Sequence, residues 1–242
     1  MTDVKNGDMD LLPLTNAGGH ATCVRRVPLF MGLTVDQQDA VGALARPVEL
    51  ERGGRLDAGR RTTRLAVVHA GRVKIVHTTA GGHERVVRVA EPGDFVGEQA
   101  FLTGSDPDHA VEALERSRLC TFSHEDLSPL IAAHPAIAEA MLRSLSERLG
   151  RAEERLSLTD RPGPARVAAY LSGLPGREAA SGASLVRLPL RKKDVASYLG
   201  MTPESFSRAL AALRRRGVIA VGSGVDTVEI LDADALDDLA ES

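Results

Sequence analysis

The chain has 242 residues, 43% hydrophobic, 26% charged and only 3% aromatic, with seven histidines, no tryptophan and a formal net charge of −3. That length sustains one large domain or two modest ones in an ordinary soluble globular protein, and no run approaches the roughly 20 apolar residues of a membrane helix. Two distant cysteines, Cys23 and Cys120, are not the disulfide framework of a small secreted domain, and so few aromatics argue against stacking on single-stranded bases. The N-terminus, MTDVKNGDMDLLPLTNAGGHA, lacks a basic start followed by an apolar run, so the expected location is cytoplasmic, with no membrane partner.

In chain order, residues 1–25 have weak periodicity and are expected to form a flexible arm. Val27 to Ala45 carries apolar residues at helical spacing, which predicts one or two short helices. From about Pro47 to Phe122 the period changes to two. RLAVVHAGRVKIVHT reads as strand, turn at Ala70-Gly71, strand, and Gly81-Gly82 opens another hairpin before ERVVRVA. Short strands punctuated by glycine predict an antiparallel roll or barrel over residues 26–133.

Ser123 to Ala133 predicts a short helix, and from Pro135 a longer one runs to about Thr159. Within it Ala138, Leu142, Leu145, Leu149, Ala152 and Leu156 recur at alternating spacings of four and three, the seam of a two-stranded coiled coil. Charged residues, among them Glu139, Arg143, Glu147, Arg148, Arg151 and Arg155, cover the rest. Residues 134–160 are therefore expected to be a dimerisation helix, and the partner a second copy of the chain. RPGP at 161–164 breaks the helix and starts a second domain over 161–242. That domain opens with a helix in ARVAAYLSGL, followed by a loop from Gly176 to Ser184 and a strand in LVRLPL.

The segment RKKDVASYLGMTPESFSRALAALRRRGVIAV is the most informative. A short helix at Lys193 to Leu199 turns Val195, Ala196 and Leu199 inward and ends at Gly200. Thr202 is placed as an N-cap, Pro203 at the first helical position and Glu204 in the first turn. The second helix, to about Arg215, turns Phe206, Ala209, Leu210 and Leu213 inward, and VIAVGSG with TVEILD follow as a β-hairpin wing. Helix, glycine turn, capped helix is the layout of a helix-turn-helix, whose second helix enters the major groove of double-stranded DNA. From Arg187 to Gly217 eight basic residues face two acids, Asp194 and Glu204, a surplus of six inside a nearly neutral chain. Glu204 offers an acceptor to cytosine N4 and Arg208 a fork to guanine O6 and N7. Ser207 lies beside them, and Lys192, Lys193, Thr202 and Arg214 are the candidates for further DNA contacts.

From about Val27 onward the chain resembles the CRP/FNR family of bacterial regulators. The resemblance rests on VPLF, HAGRVKIV, EPGDFVGE, the long helix and LPLRKKDVASYLGMTPESFSRALAALRRRGVI. It implies an α+β fold: an antiparallel β-roll like a cyclic-nucleotide-binding jelly roll, a long dimerisation helix and a C-terminal winged helix-turn-helix. The E-x-x-S-R core looks like the FNR-type reader, which implies a TTGAT half-site facing ATCAA, read by Glu204, Ser207 and Arg208. RNA polymerase is the further partner implied if the protein is an activator.

The sensor is less determined. In CRP-like members a Gly-Glu pair and an Arg-Ser pair bind the cyclic nucleotide. Here Gly97 and Glu98 are present, but the other pair is Asp108 and His109. An aspartate repels a phosphate, which argues against cyclic AMP and leaves Glu98 as a structural carboxylate. Two cysteines do not make a four-cysteine iron–sulfur cluster. Cys23 and Cys120 fall where the FLP subgroup of FNR-like proteins keeps one cysteine each, which implies a dithiol closing to a disulfide. His20-x2-Cys23 and Cys120-x3-His124 together offer two imidazoles and two thiolates, a set suited to zinc or copper. A redox switch, a metal site and an inert core thiol at Cys120 all stay open, as does a roll that answers a small ligand other than cyclic AMP. A cupin-like metalloenzyme is the rival from another class. Its H-x-H motif is absent, His109 and Glu112 being the nearest approach, so no enzyme is expected.

Overall fold

The computed structural model describes residues 24–25, 27–56, 64–79, 81–104, 109–178, 183–221 and 226–241. A 3₁₀ turn (Pro28–Phe30) and helix α1 (Val35–Leu44) lead into strands β1 (Arg46–Leu50), β2 (Arg55–Leu56), β3 (Arg64–Ala70), β4 (Val73–Thr78), β5 (Glu84–Ala90) and β6 (Phe95–Val96). Helix α2 (Glu98–Thr103) and strands β7 (His109–Ala113) and β8 (Ser117–Ser123) complete the roll, and helices α3 (His124–Ala133) and α4 (Pro135–Ser157) leave it. The C-terminal part holds α5 (Gly163–Ser172), β9 (Gly176–Glu178), β10 (Ser184–Arg187), α6 (Lys192–Tyr198), α7 (Pro203–Arg215), β11 (Ile219–Val221), β12 (Thr227–Ile230) and α8 (Ala233–Glu241).

The roll is two antiparallel four-stranded sheets, β1-β8-β3-β6 and β2-β7-β4-β5. Alternation along β3 explains how they pack. Ala66 and Val68 join Val73, Ile75, Val111, Ala113 and Leu119 between the sheets. Leu65 and Val67 point the other way, with Cys120 and Phe122 of β8, against Phe30, Val41, Leu127, Ile137 and Met141. Strand β3 is thus buried on both faces, and its sequence reads as a continuous apolar run.

The turn expected at Ala70-Gly71 is present, but the strands flanking it do not pair. β3 bonds to β6 and β8, whereas β4 bonds to β5 and β7, so the chain crosses between sheets at Gly71. Gly71 has φ +76°, and a side chain there would run into Ser117 and the Arg116 carbonyl. The Gly81-Gly82 turn does join a hairpin, β4 to β5.

Helix α4 divides the six residues expected in its seam. Leu142, Leu149 and Leu156 are 64%, 61% and 66% exposed, each seven residues from the next. Ala138, Leu145 and Ala152 are only half-exposed, and Leu145 packs with Ile137 and Met141 against the roll. The seam is therefore three bare leucines flanked by half-exposed residues, of which Leu145 is shared with the roll. The helix stops at Ser157, and α5 begins beyond Pro162, which locates the expected break.

In the C-terminal domain α5 to α8 and the sheet β11-β12-β10-β9 share one core, with Val167, Leu171, Val186, Val195, Phe206, Leu213, Ile219, Val228 and Leu236. Two expectations are corrected. The loop predicted from Gly176 contains β9, which pairs with β10, and β10 ends at Arg187, just before Leu188 and Pro189. Helix α8 was not expected from so polar a stretch as ADALDDLAE. It forms because Asp232 caps it through the Ala235 N–H and Leu236 is buried in the shared core.

Gly97, with φ +84°, sits where a Cβ would overlap the carbonyl oxygen of Arg64. Gly53 has a similar φ of +82° but open space around it. Gly97→Ala should therefore cost well beyond the ~1–2 kcal/mol of a left-handed alanine, and Gly53→Ala about that amount. Equal losses in urea unfolding would contradict the close approach.

Candidate nucleic-acid interface

Helix α6 turns Val195, Ala196 and Leu199 into the core, and α7 does the same with Phe206, Ala209 and Leu213, while Leu210 is half-buried. Gly200 makes the left-handed turn between them at φ +66°. Thr202 caps α7: its Oγ1 accepts the Ser205 N–H at 3.2 Å. Gly217 closes it at φ +72°. With those faces buried, the remaining side of α7 is solvent-facing by geometry.

That side carries the predicted residues. Thr202, Glu204, Ser207, Arg208 and Arg214 are all exposed, as are Lys192 and Lys193 on α6. Arg208 Nη2 donates to Ser205 Oγ at 3.3 Å. The Glu204 carboxyl is held below the usual carboxylate range by its own backbone N–H, then by the Thr202 hydroxyl and Arg208. It therefore remains an acceptor at neutral pH. Arg214 and Arg215 occupy the last turn of α7, where the helix dipole favours cations.

The predicted sensor residues are less fully placed. His20, Cys23 and Asp108 lie outside the described residues. Cys120 is in the middle of β8 and buried. Val24, Val27, Phe30, Val67, His69 and Phe122 surround a small gap beside it. His124 opens α3, where its Nδ1 lies 2.8 Å from the Phe101 carbonyl oxygen and its ring tilts against Phe101. Among the described residues no group of three or more His, Cys, Asp or Glu is arranged to hold a metal.

Glu98 is fixed from two directions. Arg148 of α4 donates to its Oε1 at 3.0 Å, and Arg88 of β5 approaches the same oxygen at 3.4 Å. Arg148 also lies 4.0 Å over the Phe95 ring, and its side chain is only 10% exposed. Burial, then Arg88, pushes the Arg148 guanidinium below its ordinary pKa, against the pull of Glu98 and Asp94. Sequence reasoning missed Arg88 and Arg148, because in one dimension Arg148 is indistinguishable from the other charges of a polar helix.

Profiles of two protein families match the chain: the cyclic nucleotide-binding domain over residues 56–134 and the Crp-like helix-turn-helix domain over 165–239. A probable transcriptional regulator, flp, of Lacticaseibacillus casei is 30% identical over 220 residues, 90% of this chain and 98% of that one. The fumarate and nitrate reduction regulatory protein of Escherichia coli is 31% identical over 203 residues, 82% of this chain and 80% of its own. The chain belongs to the CRP/FNR family of transcription regulators. Solved structures agree with this CRP/FNR assignment. A CRP/FNR-family regulator from Thermus thermophilus superposes with a TM-score of 0.61 at 25% identity, covering 81% of this chain and 99% of that one. FixK2 from Bradyrhizobium japonicum has the same fold, with a TM-score of 0.67 at 23% identity, covering 81% and 96%. The CRP/FNR relatives are regulators and not enzymes, and the helix-turn-helix implies DNA binding. No helix among the described residues is long and apolar enough to cross a membrane.

Glu98→Gln leaves two guanidinium groups facing a neutral amide. It should destabilise this CRP/FNR regulator by about 2 kcal/mol, read as a lower urea midpoint. A midpoint within error of wild type would show that Arg148 is satisfied by other means.

Proposed function

We propose that the protein is a homodimer that reads an inverted repeat of TTGAT-like half-sites and is switched through the thiols of Cys23 and Cys120. The exposed face of α7, with Glu204, Ser207 and Arg208 side by side next to a basic surface, is the observation that carries the DNA reading. Glu204 accepts from a cytosine amine, Arg208 grips a guanine, and Lys192, Lys193, Thr202 and Arg214 hold phosphates. The bare leucines of α4 support the dimer. A partner helix would cover them and set the two reading helices about 34 Å apart, one turn of DNA.

The switch is supported by the surroundings of Cys120. Val24, the chain neighbour of Cys23, lines the same gap as Cys120. If Cys23 reaches Cys120, the two thiols would give up two protons and two electrons to a peroxide-class oxidant, which leaves as water or alcohol, and form one S–S bond. Because Cys120 is buried, residues that cover it have to move before an oxidant reaches its sulfur. Such a change lies on the surface where Ile137 and Met141 of α4 pack, which gives it a path to the dimer helix. Zinc or copper held by His20, Cys23, Cys120 and His124 is the competing use of the same thiols.

The roll's family is named for cyclic nucleotides, but the aspartate in its phosphate position argues against one here. Arg88 and Arg148 both reach Glu98 Oε1, while Arg148 Nε and Nη2 and Glu98 Oε2 are buried without a hydrogen-bond partner among the described residues. Asp108 stands where the family places its phosphate-binding arginine, and the ring of the next residue, His109, lies tilted at 56° against His77 with centroids 5.4 Å apart.

Mobility shifts on a TTGAT–ATCAA duplex test the reading. Reduced and oxidised protein should differ in affinity, and Cys23→Ser or Cys120→Ser should abolish the difference. Equal binding in both redox states would refute the thiol switch and direct attention to a metal or another small ligand. Arg208→Ala should cost about 1–3 kcal/mol at one base pair and relax specificity there; unchanged preference would remove its assigned role. Leu142→Lys with Leu149→Lys should give monomers in sedimentation, and a persistent dimer would refute the seam.

A further inference from the structure

The DNA-binding unit is joined to the roll by more than the chain that links them. Helix α6 lies against β5, the edge strand of the second sheet. The Val86 N–H, an edge amide, donates to Ser197 Oγ of α6 at 3.1 Å. Arg155, near the end of α4, donates to the Val87 carbonyl at 2.8 Å and lies 4.8 Å over the ring of Tyr198. Val86 shares a core with Val195 and Ala196, and Val89 and Leu114 pack on it from the roll.

Beside these contacts is a buried cation. Lys74 sits on β4 between Val73 and Ile75, which face the roll's interior, so its own side chain leaves the opposite face of the sheet. There it is only 8% exposed. Its Nζ lies 3.1 Å from Glu112 of β7 and 3.5 Å from Asp194 in the first turn of α6. Arg55 of β2 holds the Glu112 carboxylate at 3.1 Å from the other side. A row of alternating charge, Arg55, Glu112, Lys74, Asp194, therefore crosses the sheet and ends on the helix-turn-helix. A buried ammonium needs such partners, and removing one leaves the others uncompensated.

We propose that Lys74 is a positioning residue for DNA recognition: by bridging Glu112 of the roll to Asp194 of α6, it fixes the angle at which the helix-turn-helix stands on the roll. The inference rests on the dimeric reading above. Helix α6 packs directly on α7, so a rotation of one carries the other. In a dimer that angle sets the separation of the two reading helices, and hence the half-site spacing the protein accepts. Without Lys74, Asp194 and Glu112 are like charges with no cation between them, and α6 is freed to tilt.

The test uses full-length protein on TTGAT inverted repeats whose spacer grows one base pair at a time, with a single half-site duplex alongside. Wild type should prefer one spacing sharply. Lys74→Met should lose roughly tenfold on that duplex, lose little on the half-site, and flatten the spacing profile; Lys74→Arg should restore it. Asp194→Asn tests the same bridge from the other domain without touching the roll, and should flatten the profile alike. Circular dichroism and sedimentation confirm folded dimers. An unchanged profile in folded, dimeric Lys74→Met and Asp194→Asn overturns the proposal, and so does an equal loss on half-site and repeat. If wild type shows no spacing preference, or does not bind, the DNA and dimer reading fails first and takes this one with it.

Discussion

One helix has to satisfy two apolar contacts at once. Over its 23 residues, about 34 Å at 1.5 Å per residue, α4 buries Ile137 and Met141 against its own roll while Leu142, Leu149 and Leu156 remain in water. Each of these leucines, about two-thirds exposed, forgoes roughly 1–2 kcal/mol of burial. In the proposed dimer the helix has two dependencies, the roll on one side and a second chain on the other. Whatever moves the roll surface under Ile137 and Met141 also moves the line on which a partner must close.

The polar contacts of the roll follow the same division. Glu98 holds Arg148 of α4, and Lys74 holds Asp194 of α6, so each of the two departing units is gripped by a partly buried ion pair. Such pairs contribute little net stability after desolvation, but breaking one is costly, which makes them better at choosing an orientation than at adding strength. Cys120 lies on the helix-facing side of the first sheet, whereas Lys74 lies on the outer face of the second. The proposed thiol chemistry and the proposed orientation of the reading helices thus act from different sides of the roll.

Much of this was legible in one dimension, for local reasons. The helix-turn-helix was readable because each signal is short-range: Gly200 in its left-handed turn, Thr202 bonded to the Ser205 N–H, Phe206 and Leu213 at helical spacing. The long helix was readable from the four-and-three spacing of Ala138, Leu142, Leu145, Leu149, Ala152 and Leu156, though not the half-burial of Leu145, which depends on where the roll sits. What stayed hidden depends on long-range contact. Lys74 and Asp194 are 120 residues apart, and Glu98 and Arg148 are 50 apart. The crossing at Gly71 looked like a hairpin because a turn between two apolar runs does not say which sheet each run joins. Helix α8 was hidden because its stability comes from Leu236 in a shared core and not from its own composition.

In the proposed dimer a paired helix-turn-helix reads two facing half-sites, and selection of bound duplexes from a random-sequence pool tests this. Enrichment of a TTGAT-like inverted repeat, with half-site centres about one DNA turn apart, is the predicted result. Enrichment of a single half-site, a direct repeat or no sequence at all would contradict it.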